Sequence, residues 1–453
     1  MADLNFNNKK VLVLGWAKSG KAATHRLVEL GAQVTVANRD QIEVDADVQA
    51  LQAAGVTFAA NDQADALTDD TDYVVKNPGI HYEQPLLVKA EELEIPILTE
   101  VAVALSTFTG RLIVVTGSNG KTTTTTLLGK MLQADPNQGK VVVAGNIGTP
   151  VCQVVGDLTT EDTLVLELSS FQLVGIPMIQ PDIAVITNVF ANHMDFHHTR
   201  AAYLAAKIHV TENQRPDQVL ILNGQGPDTP VIEQHTAAQV LHFDDQDQQA
   251  YAHQTGDDLV LAGQVLMPFA DVRLVGQPNL ENVLAATAAA TVAGAASAGM
   301  RTVLENFAGV AHRLEFLFKN NGVAYYNDSK ATDIEATQAA LSAFDQPVVW
   351  LAGGLDRGDD LMRLAPDLKN VRQVIAFGET KNKVVTLAES LNLPVTVVES
   401  VEEAAPLATK MAQTGEVVLF SPAAASWDQY PNFEIRGTAY ERALKKALNQ
   451  DGE

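Results

Sequence analysis

Cysteine is almost missing from this chain: Cys152 is the only one among 453 residues. No internal disulfide is possible, and a reducing compartment fits. Positive charge is scarce too. Lys and Arg number 31 against 55 Asp and Glu, for a net charge of -24. Such a chain is a poor general binder of nucleic acid or anionic lipid. Anionic ligands must then be held locally, by backbone N–H groups at helix starts and a few placed cations. The acidic surplus itself reads as a solubilising surface. Long apolar runs are lacking as well. Met1 to Lys10 is polar with no signal core, and the longest apolar-looking stretch, Ala285 to Met300, is mostly alanine and glycine. It predicts a packed helix and no membrane span. The expected setting is cytoplasmic, with neither membrane nor nucleic acid as a partner.

What the chain does have is an alternation of strand and helix patterns. Val11–Leu14, Val34–Ala37, Tyr73–Val75, Leu112–Val115, Val141–Ala144, Thr163–Leu166, Ile183–Ile186, Val219–Leu222, Val348–Ala352, Val374–Phe377 and Val417–Phe420 are short β-branched runs separated by helical patterns. Several end directly in Gly, Asn or Ser. This predicts an α/β protein of parallel sheets with ligands at the strand C-termini. At roughly 150 residues per domain, about three domains are expected. The boundaries fall at 1–105, 106–308 and 309–453: a Rossmann-like N-terminal domain, a central P-loop ATPase-type parallel sheet, and a Rossmann-like C-terminal domain. The Gln/Asp-rich segment 240–270 predicts an irregular peripheral excursion, and an Ala-rich helical stretch at 279–307 closes the central domain.

Thr116-Gly117-Ser118-Asn119-Gly120-Lys121-Thr122-Thr123 follows an apolar strand and precedes a helical run. The glycines let backbone amides face phosphate oxygens, and the helix start adds the positive end of a dipole. Lys121 can reach β- and γ-phosphates, and the Thr122 hydroxyl can hold Mg²⁺. Val115 stands where the longer Walker spacing needs its first glycine, so the loop is the shorter Gly-x-x-Gly-Lys-Thr form. Gly15-Trp16-Ala17-Lys18-Ser19-Gly20-Lys21-Ala22 meets the longer spacing but ends in Ala22, which has no hydroxyl for a metal. It reads as an anion-binding turn for a different phosphate. A dinucleotide fingerprint fails there, because the glycine spacing is wrong and Asn38-Arg39 stands where an acidic residue is required. Asn77-Pro78-Gly79-Ile80 is either another edge of that grip or a plain turn.

Glu167, at the end of an apolar strand, is placed either to hold Mg²⁺ beside the loop or to face solvent. His193 taken alone reads as a structural histidine, since Mg²⁺ prefers oxygen. His197 and His198 read as exposed loop residues, and Lys207, on a predicted helix, as a surface lysine.

These motifs, in this order, resemble the Mur ligase family. The likeness is carried by the loop at 116–122, Gly145-Asn146-Ile147-Gly148, Glu167-Leu168-Ser169-Ser170, His193-Met194-Asp195 and Ala205-Ala206-Lys207. It continues through Asn279 to Asn282, His312-Arg313 and Asn327-Asp328-Ser329-Lys330-Ala331-Thr332. The run Ser421-Pro422-Ala423-Ala424-Ala425-Ser426-Trp427-Asp428-Gln429-Tyr430, followed by Asn432-Phe433-Glu434 and Arg436-Gly437, resembles the D-glutamate-adding branch.

The resemblance implies an ADP-forming ligase of peptidoglycan precursor synthesis, working as a monomer. It would join D-glutamate to UDP-N-acetylmuramoyl-L-alanine through an acyl phosphate. ATP is implied at Gly117, Ser118, Asn119, Gly120, Lys121, Thr122 and Thr123, with Asn279, Asn282, Arg313, Asp328 and Lys330. Two Mg²⁺ sites are implied at Thr122, Glu167, His193 and Lys207, with a CO₂-derived carbamate on Lys207. The UDP-sugar falls to Gly15, Trp16, Ala17, Lys18, Ser19, Asn38, Arg39, Asn77, Gly79 and Asn146. D-Glutamate falls to Lys330, Thr332, Arg357, Ser426 and Phe433. Lys121, Asn146, His193 and Lys207 are the implied catalytic residues. A family member carries Asp-Thr-Arg in place of Ala37-Asn38-Arg39, and a lysine in place of Arg357. The second change keeps a cation, and arginine can grip a carboxylate with two parallel hydrogen bonds. The rivals are a sister Mur-type or folylpolyglutamate-type ligase, a P-loop regulatory protein and an NAD(P) oxidoreductase.

Overall fold

The computed structural model describes residues 4–59, 61–190, 193–274 and 276–448; Met1 to Asp3 and the side chain of Asp195 lie outside them. Each apolar run seen in the sequence is a strand. β1 (Lys10–Leu14), β2 (Gln33–Ala37), β3 (Thr57–Ala59), β4 (Tyr73–Lys76) and β5 (Ile97–Leu98) form a parallel sheet in the order β3-β2-β1-β4-β5. Beyond its first residue β1 is buried throughout, as a central parallel strand with both faces covered must be. The strand order reverses beside β1. The crevice at the C-terminal ends of β1 and β4 is therefore the expected ligand position.

The second sheet holds β6 (Arg111–Thr116), β7 (Val141–Gly145), β8 (Thr163–Glu167), β9 (Ile183–Ile186), β10 (Val219–Asn223), β11 (Gln239–Asp244), β12 (Ala252–Thr255), β13 (Asp258–Leu261) and β14 (Gln264–Pro268). Its order is β14-β13-β12-β11-β10-β9-β6-β8-β7. β6 lies between β8 and β9, so the loop after β6 opens at that sheet's own reversal. Segment 240–270 corrects the expectation of irregular chain. β11 and β12 continue the parallel pairing, and β13 and β14 add antiparallel strands at the edge. The Gln and Asp residues cluster in the 244–250 connection and mask the alternation on either side. The Ala-rich stretch forms helices Gln277–Val292 and Ser297–Asn306, parted near Gly294 with φ +83°.

The third sheet holds β15 (Glu315–Asn320), β16 (Val323–Asn327), β17 (Val348–Gly353), β18 (Val371–Phe377), β19 (Val395–Val397) and β20 (Val417–Phe420), in the order β15-β16-β20-β17-β18-β19. β15 runs antiparallel to β16 and the other pairings are parallel.

By compactness the chain divides into two units, Met1–Phe269 with Glu281–Val303, and Ala270–Leu280 with Leu304–Glu453. In the first, one apolar core runs from Val13 and Leu27 through Val103 and Leu105 to Val114 and Leu166. The helix Glu100–Leu105 is buried at every position, and the Glu100 carboxylate accepts the Val151 and Cys152 N–H groups at 3.2 and 3.0 Å. The second unit packs cores on both faces of its sheet, around Trp350 on one side and Phe377 with Tyr440 on the other. Among the described residues no helix is long and apolar enough to cross a membrane.

Candidate active site

The phosphate loop is built by β6 and the helix Lys121–Gln133. Gly117 has φ +145° and Gly120 has φ +80°, values an L side chain rarely adopts. Space is also short. A Cβ on Gly117 would lie 1.9 Å from the Thr187 hydroxyl, and one on Gly120 would lie 2.1 Å from Asn282 Oδ1. Asn188, two residues beyond β9, pins the loop: its carbonyl accepts Ser118 N–H at 2.9 Å, and its side chain accepts Asn119 N–H at 2.8 Å. The Thr187 hydroxyl donates to the Asn119 carbonyl at 2.6 Å. Two of the expected phosphate-facing amides, on Ser118 and Asn119, are thus spent on loop shape. A Gly117→Ala variant should lose ATP affinity by about tenfold or more, since the added methyl must push Thr187 or the loop aside. Nucleotide titration on the purified variant checks it.

Two lysines converge on this loop. Lys121 Nζ donates to the Gly117 and Ser118 carbonyls at 2.9 and 2.8 Å. Lys207 Nζ donates to the same Gly117 carbonyl at 2.7 Å and lies 4.5 Å from the Tyr203 ring centre. The surface reading of Lys207 is overturned: it is 1% exposed. Burial, helped by the charge of Lys121, pulls its pKa well below the ordinary lysine value. The helix Arg200–Ile208 presents Tyr203, Leu204, Ala206 and Lys207 inward, and the Gly117 carbonyl gives the amine its partner. Tyr203 belongs to this cluster although sequence reasoning missed it. Its hydroxyl is 2.8 Å from Ser118 Oγ.

Glu167 ends β8 and is 1% exposed. Its Oε1 accepts Asn146 Nδ2 at 2.7 Å, and the Asn146 N–H donates to the Glu167 carbonyl at 2.8 Å. Its Oε2 is buried with no hydrogen-bond partner. The solvent-facing alternative for Glu167 is thereby excluded. A buried carboxylate oxygen without a donor is costly, and a cation is the natural remedy. Thr122, on the first turn of the loop helix, is buried. His193 adopts φ +55° and its ring lies 4.8 Å from Phe171 and 6.3 Å from Tyr203. The His197 expectation is corrected: it is buried, with Nε2 2.9 Å from Ser170 Oγ. His198 is exposed as expected, 2.9 Å from Glu83. Asn282 stands beside Gly120 and accepts the Thr124 hydroxyl at 3.3 Å.

At the first sheet, Gly15 continues β1 with φ +98° into the helix Lys18–Glu29, whose N-terminus has no side-chain cap. Trp16 N–H donates to Asn38 Oδ1 at 3.0 Å. Asn77 packs against Gly15 and Gly20, where a Cβ on Gly15 would lie 2.5 Å from its Nδ2, and Asn77 Oδ1 is buried and unpartnered. Ala17, Lys18, Ser19 and Gly79 flank this turn, whereas Arg39 points into solvent and pairs with Asp40.

In the second unit, Asp328 follows β16 and is buried. Its oxygens accept Leu314 N–H and the Ser421 hydroxyl, each at 2.9 Å, and burial pushes its pKa up to about 7. Arg313 lies near enough to oppose that rise. Lys330 Nζ lies 5.3 Å from the Phe433 ring centre, and its N–H donates to the His312 carbonyl. Thr332 precedes Asp333, which caps the helix Ile334–Ser342. Arg357 stacks 4.9 Å from the exposed Trp427 ring, and Ser426 is buried beside it in sequence. Arg436, on the helix Phe433–Ala447, joins this unit's interior. It is fully buried, donates to the Ser329 carbonyl at 2.8 Å and its hydroxyl at 3.2 Å, and burial lowers its pKa to about 10. Asn279 is buried in the first turn of the helix Gln277–Val292.

Comparison with known proteins fits this geometry. The Mur ligase middle domain matches residues 115–290, and the Mur ligase glutamate ligase domain matches 312–424. A UDP-N-acetylmuramoylalanine–D-glutamate ligase from Leuconostoc citreum (strain KM20) is 56% identical, over 98% of this chain and 99% of the relative. The enzyme of that name from Oenococcus oeni is 45% identical over the full length of both. Among solved structures, UDP-N-acetylmuramate-alanine ligase MurC from Thermotoga maritima has a TM-score of 0.60 at 18% identity, over 98% of this chain and 100% of that one. MurF ligase from the same organism, in complex with ADP, has a TM-score of 0.58 at 17% identity, over 99% and 97%. These two show a common fold.

Proposed function

The chain belongs to the Mur ligase family, and from that premise we propose how its residues carry out the ligation of its D-glutamate-adding relatives. The protein is an ATP-dependent ligase of peptidoglycan precursor synthesis that adds D-glutamate to UDP-N-acetylmuramoyl-L-alanine. An amine does not displace hydroxide from a carboxylate at a useful rate, so the carboxylate is activated first. Its oxygen attacks the γ-phosphorus of ATP in line. The new O–P bond forms, the β–γ bridge breaks and ADP leaves. The D-glutamate amine then attacks the acyl carbon, the C–N bond forms, and phosphate departs with one former carboxylate oxygen.

The observation that carries this reading is the lysine pair on the Gly117 carbonyl. A triphosphate lying on the amides at 120–123, where the loop enters its helix, meets the Lys121 cation, which offsets charge building on the transferred group. Lys207 is a buried amine of lowered pKa, the state that reacts with CO₂: its nitrogen bonds the CO₂ carbon and a proton is released. The resulting carbamate is a long carboxylate whose negative charge Lys121 can balance. With Thr122, the unpartnered Glu167 oxygen and His193, it makes an oxygen-rich set suited to Mg²⁺. Mg²⁺ held there would offset the repulsion between carboxylate and triphosphate. Asn146 fixes the Glu167 carboxylate and faces the reacting end of the UDP-sugar. Asn279, Asn282, Arg313, Asp328 and Lys330 serve the nucleotide. Gly15 to Ser19, Asn38, Arg39, Asn77 and Gly79 serve the UDP-sugar. Lys330, Thr332, Arg357, Ser426 and Phe433 serve D-glutamate. The enzyme works as a monomer, and its single buried cysteine suits a reducing cytoplasm.

The test is phosphate release with ATP, UDP-N-acetylmuramoyl-L-alanine and one amino acid at a time. Release only with D-glutamate is expected. Release with another amino acid selects a sister ligase, and release with no acceptor selects a nucleotide hydrolase.

A further inference from the structure

Lys76 is 1% exposed, yet the ligation leaves it without a task. It is the last residue of β4, immediately before the turn Asn77-Pro78-Gly79-Ile80. Among the described residues it has no carboxylate partner, and burial alone pulls its pKa down to about 8, which leaves it charged at neutral pH. The ammonium curls under the turn and donates to the Pro78 and Ile80 carbonyls at 2.9 and 2.8 Å. The turn is closed by Ile80 N–H donating to the Asn77 carbonyl at 3.0 Å. Tyr82 and Phe196 cover the cation, with ring centres at 4.7 and 5.4 Å. Phe196 in turn packs on Phe171 at 4.5 Å, the ring that touches His193.

A methionine would fill this space against the two rings at no electrostatic cost, whereas a buried cation without a counter-charge is expensive. The turn shows what the charge does. A trans peptide points its C=O and N–H in opposite directions. With the Pro78 and Ile80 carbonyls drawn down onto the ammonium, the N–H groups of Gly79 and His81 are turned away from it. Successive peptide N–H groups aimed outward make an anion-binding concavity.

We propose that Lys76 is a positioning residue for the nucleotide-linked substrate: it sets the 77–81 peptides so that their N–H groups meet the diphosphate, and that diphosphate is the counter-charge Lys76 lacks in the free protein. This rests on the reading of the first sheet as the UDP-sugar site. The test is calorimetric titration of UDP-N-acetylmuramoyl-L-alanine into the full chain, with steady-state kinetics for all three substrates. Lys76→Met should weaken nucleotide-sugar binding by about tenfold or more, the loss typical of a charge-assisted contact, while the KM values for ATP and D-glutamate and the kcat at saturation stay within about twofold. Lys76→Arg should restore most of the affinity. Unchanged binding by Lys76→Met overturns the proposal, and so does a parallel rise of all three KM values with a lowered melting temperature. If Lys76→Met fails to fold, Lys76→Gln is read in the same way. Failure of both uncharged variants to fold makes Lys76 a folding residue and also overturns it. A wild-type chain that does not bind the nucleotide sugar strikes the reading of the first sheet instead.

Discussion

Lys207→Ala should lose turnover by at least about a hundredfold, and short carboxylic acids such as acetate or formate should restore part of it. The physical reason is the buried amine. Free lysine titrates near 10.4, so at pH 7 only about one amine in a few thousand is neutral and open to CO₂. Burial and Lys121 shift Lys207 toward the neutral form, so its reactive fraction is much larger. Removing CO₂ from the buffer should slow the native enzyme and leave the rescued variant unaffected. A different role is conceivable from the structure: Lys207 could simply brace the Gly117 carbonyl. In that case Lys207→Ala would still lose activity, but no carboxylic acid would replace a missing hydrogen-bond donor. Rescue therefore decides between carbamate and brace.

Glu167→Gln is expected to lower kcat/KM by about a hundredfold and to raise the Mg²⁺ concentration needed for half activity. It should do so without loss of stability. The amide keeps an oxygen to accept from Asn146, so the local hydrogen bond survives. The native Oε2 is a buried carboxylate oxygen with no donor, and a neutral amide there costs less to keep out of water than an ionised carboxylate. The melting temperature without metal should be equal or higher, while activity falls. If activity and melting temperature fell together, the carboxylate would be part of the scaffold and not of a cation site.

The strands were legible because their apolar runs are short, β-branched and stopped by Gly, Asn or Ser. β12 to β14 were not, since they are only 4, 4 and 5 residues long and the neighbouring Gln and Asp residues hide so brief an alternation. Lys121 was legible from the glycine loop that holds it and Glu167 from its place at a strand end, whereas Asn146 came only with the family resemblance. Lys207 and Lys76 show the limit. Nothing in Tyr203-Leu204-Ala205-Ala206-Lys207 says that the lysine points inward, because its acceptor is the carbonyl of Gly117, 90 residues away in sequence. Lys76 looks like a strand-end charge, and only the folded turn reveals that two carbonyls and two rings enclose it. His197 was misread as exposed for the same reason: its partner Ser170 lies 27 positions earlier in the chain.

The central claim is that the loop at 116–123 passes the terminal phosphoryl group of ATP to the carboxylate of UDP-N-acetylmuramoyl-L-alanine. Labelling that carboxylate with oxygen-18 and analysing the phosphate released in the presence of D-glutamate tests it directly. One labelled oxygen should appear in each phosphate, carried over when the acyl phosphate is opened by the amine. Phosphate that gains its fourth oxygen from water, with the label left in the substrate, would contradict the claim.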